Sequence, residues 1–211
     1  MTKRQFGKFI TVEGCEGVGK STQTRLLKEY CQREGVDAYF TREPGGTPVA
    51  ERIRGLILDG ANTGMDAFCE LLLYEAARRQ HTRELILPLL KSGKTVFCDR
   101  YIDSTLAYQG YARGLSGAKI RTLNEWASDG APIALTLFLD ADPVAGFIRK
   151  GGADKTDRLE AEGAEFHKRV YEGFLRLAAD NPRRVVKIDA SGTKEETHGK
   201  IVAVLKQKGI F

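Results

Sequence analysis

The order of short β-branched runs and longer helical patterns predicts an α/β protein, with a doubly wound, mostly parallel five-stranded sheet and helices on both faces. Three observations carry this. Strand-like runs alternate with helical periodicity along the chain, with no linker, repeat or low-complexity stretch between them. Two of the runs, Thr95–Asp99 and Ile133–Asp140, are apolar and end in a carboxylate, as central strands of a parallel sheet do. The first run leads through a glycine-rich turn into a helix, the start of a right-handed crossover.

The first strand is Lys8–Glu13. A helix follows from about Lys20 to Glu34, with Gly35 as its stop, and then a strand near Asp37–Thr41. Pro44, Gly45 and Gly46 make a loop before a helix over Pro48–Leu58. A long helical pattern runs from Asp66 to about Lys91 and carries Pro88 near its end. After the strand Ile133–Asp140, Asp142 and Pro143 cap and open a short helix to about Arg149. The polar stretch Lys150–Thr156 is a loop or lid. A helix over about Glu160–Asn181, a strand at Arg184–Ile188 and a helix over about Glu195–Gln207 complete the order.

A chain of 211 residues matches one domain with a sizeable core. With 42% hydrophobic and 29% charged residues and no long apolar run, it reads as neither disordered nor membrane-inserted. Thirty-three Lys and Arg against 28 Asp and Glu leave +5, which suits an anionic partner. Cys15, Cys31, Cys69 and Cys98 show neither metal-ligand nor disulfide spacing, and the basic start lacks a signal-like apolar segment, so a cytoplasmic location is expected. His81, His167 and His198 have no ligand spacing and read as surface or helix residues; Trp126 reads as core.

Gly14-Cys15-Glu16-Gly17-Val18-Gly19-Lys20-Ser21 fits G-x-x-x-x-G-K-[ST], placed between a strand and a helix as the chemistry requires. Backbone N–H groups of such a loop wrap phosphates, Lys20 reaches the β- and γ-phosphates, and the Ser21 hydroxyl ligates Mg²⁺. With Thr22, these residues form the expected nucleoside triphosphate site, and the fold becomes a P-loop NTPase-type sheet with a short lid. No Asn-Lys-x-Asp guanine reader occurs, which argues against a GTPase switch. Leu115–Lys119 only loosely echoes a transporter signature and reads as a turn.

Several landmarks together resemble one family, the thymidylate kinases. They are Phe9–Thr22, Thr41–Thr47, Leu72–Arg78, Asp99-Arg100-Tyr101 with Ser104 and Tyr108-Gln109, and Asp157–Glu160. The resemblance covers nearly the whole chain and implies transfer of the γ-phosphoryl of ATP to dTMP, with Mg²⁺, on a homodimer. It points away from nucleic acid or membrane as partners.

Such an acceptor is itself a phosphate with a second pKa of about 6, so the reaction calls for cations rather than a strong base. Arg42 and Arg100 follow strands at the carboxyl edge of the sheet, where α/β ligands bind; by resemblance both hold the monophosphate, Arg100 near the transferring group. Asp99 is the expected acidic partner of Mg²⁺ after Ser21, with a structural pair to Arg100 as the alternative. Tyr74 and Arg78 are spaced i, i+4 on one helix face, suited to stack on a base and donate to its edge. Arginine only donates, so it accepts the O4 carbonyl of thymine and rejects the amino group of cytosine.

The resemblance further implies that Tyr108 crowds the sugar 2′ position, that Ser104 and Gln109 contact the base, and that Glu16 accepts from the 3′-hydroxyl. Gly17 in the loop resembles the subgroup that delivers its catalytic arginine from the lid, here about residues 149–158. Arg149 is the favoured cation, with Lys150, Lys155 and Arg158 as contenders. Ala190–Thr193 lies where this fold packs adenine. Two other functions stay open on sequence alone: a kinase for another nucleoside or monophosphate, with Glu43 as base toward a 5′-hydroxyl, and a nucleotide binder without turnover.

Overall fold

The computed structural model describes residues 6–142, 144, 146 and 157–211. Among them, β1 (Phe9–Glu13), β2 (Ala38–Arg42), β3 (Thr95–Asp99), β4 (Ile133–Asp140) and β5 (Val185–Asp189) form one sheet. The order is β2-β3-β1-β4-β5 and every adjacent pair is parallel, as the alternating pattern predicts. β1 is buried along its length because it lies at the centre of the sheet. β2 and β5 each run one residue later than their sequence patterns. For β2 this brings Arg42 into register with Asp99.

The chain leaves β1 toward β2 and β3 on one side and later fills β4 and β5 on the other. The carboxyl ends of β1, β3 and β4 therefore diverge at the switch in strand order, the place where open α/β sheets bind ligands. The turn after β1, Arg100 after β3 and Ala141 after β4 all meet there.

Helix α1 (Lys20–Arg33) opens directly from the glycine-rich turn, and α2 (Pro48–Leu58) has its proline in the first turn, as expected. The long pattern from Asp66 resolves into three pieces. Asp66 caps α3 (Ala67–His81) by accepting from the Phe68 and Cys69 N–H groups. A π-helical turn (Thr82–Ile86) then leads into α4 (Leu87–Lys91). Pro88 has no N–H to give, and a widened turn accommodates the missing bond.

Between β3 and β4, where the sequence pattern gave no helix, α5 (Ile102–Thr105), a π-helical stretch (Leu106–Ala112) and α6 (Gly117–Ser128) follow one another. α7 (Ala164–Asp180) starts later than expected because Asp157 Oδ1 accepts the Leu159 and Glu160 N–H groups in a turn of its own. α8 (Lys194–Gln207) begins with a capping box between Thr193 and Glu196. Of the short helix expected after Asp142, the structure shows Asp142 Oδ1 accepting the Val144 N–H at 2.8 Å; Arg149, Lys150 and Lys155 lie outside the described residues.

The main core lies between sheet and helices, with Phe138 stacked on Phe174 at 5.4 Å and Phe40 on Phe97 at 4.9 Å. Two expectations change. Trp126 is 68% exposed rather than core, because α6 packs through the i, i+4, i+7 stripe of Ile120, Asn124 and Ala127, which leaves position 126 outward. For His81 the reading as a surface or helix residue narrows to helix, since it lies in α3 and is fully buried. Among the described residues the four cysteines are free, and no helix is long and apolar enough to cross a membrane.

Candidate active site

The turn between β1 and α1 is shaped by glycines. Gly14 has φ 144°, and a Cβ there would lie 2.8 Å from the Leu139 carbonyl oxygen of β4. Gly19 has φ 99° at the N-cap of α1, where no side chain caps the helix. The first N–H groups of α1 are therefore left for an anion. Lys20 Nζ donates to the carbonyls of Gly14 (3.0 Å) and Cys15 (2.7 Å), lying back along the loop. Burial and the neighbouring charge of Arg100 lower its pKa, partly offset by Glu16 and Asp99.

A cavity of about 630 Å³ runs from this turn across the carboxyl edge of the sheet. Glu16, Gly17, Val18, Gly19, Lys20, Ser21 and Thr22 line it, whereas Gly14 and Cys15 are not among its lining residues. Arg42, Asp99 and Arg100 line it as well. So do Tyr74, Arg78, Ser104, Tyr108 and Gln109, together with Ala190, Gly192, Lys194 and Thr197. The structure thus gathers the residues that the sequence scattered over nearly the whole chain.

Three arginines are held in different ways. Arg42 donates to both oxygens of Glu51 at 3.0 Å and to the Pro44 carbonyl at 2.7 Å. Its side chain and that of Glu51 are 44% and 43% exposed, and such pairs contribute only about 0–1 kcal/mol, so Arg42 can readily exchange Glu51 for a phosphate. Arg100 has φ 67°, a left-handed conformation that a non-glycine residue adopts only where the surroundings hold it. Its guanidinium lies over the Tyr108 ring, pairs with Glu16, and donates to the Gly14 carbonyl (3.1 Å) and Ser104 Oγ (3.2 Å). Tyr108 OH also donates to Glu16 Oε1.

Arg78 is 1% exposed and bound by acceptors on two edges. Nε donates to Glu43 Oε2 at 2.8 Å, and Nη1 to Glu75 Oε1 (2.7 Å), Thr105 Oγ1 (2.8 Å) and Asn124 Oδ1 (2.7 Å). Tyr74 is one helical turn earlier on the same side of α3, as the i, i+4 spacing predicts.

Behind the turn, Glu13 accepts the Tyr101 N–H (2.7 Å) and the Ser104 hydroxyl (2.6 Å) and so supports the segment that carries Arg100. Burial, and then the nearby Asp103, push its pKa up to about 8 against those hydrogen bonds.

Asp99 Oδ1 is buried in the cavity that Lys20 and Ser21 also line, and has no hydrogen-bond partner among the described residues. A carboxylate oxygen left bare next to the phosphate turn fits a hard cation. Among the described residues no cluster of three or more His, Cys, Asp or Glu could hold a metal ion.

Sequence reasoning missed Arg54, which lines the cavity and donates to the Pro44 carbonyl at 3.0 Å. Its signal was its place three residues after Glu51, on the same helix face. It also missed Glu70, buried beneath the site, which accepts from Gln109 Nε2 at 2.8 Å. Arg158, a contender for the lid cation, does not line the cavity; it is paired with Glu70 and donates to the Ile57 carbonyl.

A phosphate turn and a base-sized pocket joined in one cavity, at the strand switch of a parallel sheet, define a P-loop nucleotide phosphotransferase. The thymidylate kinase family model matches residues 12–201. A thymidylate kinase of Synechococcus sp. (strain JA-3-3Ab) is 50% identical, with 95% of this chain and 96% of the relative covered. One from Clostridium novyi is 44% identical, with 95% and 98% covered. The crystal structure of thymidylate kinase from Ehrlichia chaffeensis superposes with a TM-score of 0.78 at 36% identity, covering 95% of this chain and 99% of that one. The chain belongs to the thymidylate kinase family.

Proposed function

We propose that the protein transfers the γ-phosphoryl group of ATP to dTMP, giving dTDP. The observation that carries this is the continuity of one cavity from Lys20 and Ser21, past Arg42 and Arg100, to Tyr74 and Arg78. A nucleoside monophosphate set along it places its phosphate among the arginines and its base against Tyr74. The acceptor oxygen is largely ionised at neutral pH, so the protein's work is to bring two anions together in line. Lys20 leaves the loop carbonyls for the β- and γ-phosphates, and Arg42 and Arg100 hold the acceptor phosphate.

Glu43 is unsuited to act as a base toward a 5′-hydroxyl, because one oxygen accepts from Arg78 and the other faces His81. This favours a phosphate acceptor over a nucleoside. Glu16 and Tyr108 meet at the sugar, and Gln109 and Ser104 border the base.

Ser21 and Asp99 would hold Mg²⁺, which when bound neutralises charge on the β- and γ-phosphoryl oxygens. The lid, about residues 149–158 of a single kinase domain, carries Arg149 as the favoured cation for the transferring group. Val49 and Leu56 on α2, Phe68 and Leu72 on α3 and Trp126 on α6 are exposed on helices that pack together, and this apolar surface supports a homodimer. A cytoplasmic location accords with the substrates.

A coupled assay with ATP, Mg²⁺ and a panel of nucleosides and monophosphates tests the acceptor. dTMP is expected to give the highest kcat/KM; equal use of thymidine or cytidine monophosphate would overturn the proposal.

A further inference from the structure

Arg78 is the base-edge donor of the proposed acceptor site, and its aim is set from behind. Three acceptors, Glu75, Thr105 and Asn124, crowd Nη1. Nε has a single acceptor, Glu43 Oε2 at 2.8 Å. Nη2 has no acceptor among the described residues and is the nitrogen left to meet a ligand. A guanidinium is planar and rigid, so fixing the Nε and Nη1 edges fixes where Nη2 points. Removing any one Nη1 acceptor leaves two others. Removing the Nε acceptor leaves the plane held at Nη1 and against the Tyr101 ring, whose centroid is 5.1 Å away, and lets its Nη2 edge turn.

Glu43 is itself held. Its backbone N–H donates to the Asp99 carbonyl at 2.9 Å, tying the loop to the end of β3. Its second oxygen, Oε1, lies 3.1 Å from His81 Nδ1. A carboxylate only accepts, so the Nδ1 hydrogen belongs to the imidazole. The ring's other nitrogen, Nε2, is 2.8 Å from Thr41 Oγ1 on β2. Gly46, with φ 87°, closes the loop over this ring; a Cβ there would lie 2.5 Å from His81 Nε2. The chain of contacts thus runs from the end of β2 through His81 and Glu43 to the guanidinium, with none of its members except Arg78 needed to touch a base.

We infer that Glu43 and His81 are positioning residues that aim Arg78 and thereby set which pyrimidine the site accepts. This rests on the acceptor reading proposed above. Glu43 fixes the Nε edge, and His81 fixes Glu43. With Nη2 held toward the base edge, a carbonyl at position 4 is accepted and an amino group meets a second donor. With the Nη2 edge free to turn, both acceptors are bound weakly and with less discrimination.

The experiment compares wild type with Glu43→Gln, His81→Asn and His81→Leu in the full chain, with dTMP and dCMP as acceptors. Wild type comes first: failure to prefer dTMP there defeats the acceptor reading, independently of the variants. Glu43→Gln keeps the shape of the side chain but weakens a charge-assisted bond. It should raise KM for dTMP about tenfold and lower the dTMP-to-dCMP ratio of kcat/KM by a similar factor, with KM for ATP within about twofold. Asparagine offers a donor near the place of Nδ1 and leucine does not, so His81→Asn should stay closer to wild type in the ratio than His81→Leu. The inference is overturned if Glu43→Gln keeps the wild-type ratio, if KM for ATP rises as much as KM for dTMP, or if the two His81 variants are indistinguishable. Should Glu43→Gln fail to fold, the His81 pair decides.

Discussion

Arg158 Nη1 stands 2.6 Å from Glu70 Oε2, and the Glu70 carboxylate is almost wholly buried. Arg113 and Gln109 complete its shell. Arg158 therefore fastens the end of the lid segment to α3. Arg158→Ala should destabilise the fold by about 1–3 kcal/mol, and Glu70→Ala, which takes the buried carboxylate from Arg158 and leaves Arg113 with Glu162, by about 3–5 kcal/mol. Urea unfolding measures both. A normal unfolding midpoint for Arg158→Ala together with a collapse of kcat would instead make Arg158 the transferring cation.

Arg78→Ala removes the base-edge donor and leaves the phosphate turn untouched. KM for dTMP should rise about tenfold or more while KM for ATP stays near wild type. An unchanged acceptor KM would remove Arg78 from the site.

Arg149→Ala should lower kcat by about a hundredfold or more, a larger effect than on either KM, as expected for a cation engaged chiefly in the transition state. Lys155→Ala, assayed alongside, locates the charge if the loss appears there instead.

Glu13 gives the fold a pH signature. Its ordinary value of 4.5 rises to about 8 on folding, through burial and then Asp103. Between those values the folded chain keeps a proton that the unfolded chain has lost, so this contribution is complete below about 4.5 and is lost as pH rises through about 8. Glu13→Gln should flatten that decline. Urea midpoints at a pH of about 5.5 and about 8.5 measure it, and parallel slopes for variant and wild type would exclude Glu13 as the source.

Trp126→Glu places a charge on the exposed apolar surface of α6 without disturbing the core. Sedimentation should show a shift from dimer toward monomer with the unfolding profile of the monomer kept. A wild-type sedimentation profile would put the subunit contact elsewhere.

The sheet and the phosphate turn were legible because they rest on local signals: apolar runs of strand length, and glycines at fixed spacing before Lys20. Arg42, Tyr74, Arg78 and Arg100 could be named because each sits at a strand end or on a helix face whose direction the periodicity gives. Glu70 and the pairing of Glu43 with His81 were not legible, since a buried carboxylate looks like a solvated one until the partners arrive from distant segments. Trp126 misled for the opposite reason. A large aromatic carries a core signal wherever it falls, and only the packing stripe of α6 shows which way it turns. The π-helical turns also leave no periodic trace, because one added residue shifts the phase of the helix.

Arg100 has a consequence for how a ligand is received. Its backbone is held in a left-handed turn, and its guanidinium is fixed by Glu16, the Gly14 carbonyl and Ser104 over the face of Tyr108. An arginine free in solvent gives up roughly 2 kcal/mol of rotamer freedom when it closes on an anion. Here that loss of freedom is already built into the folded state. The arriving phosphate meets a charge that is waiting in place, and more of the contact energy remains for binding.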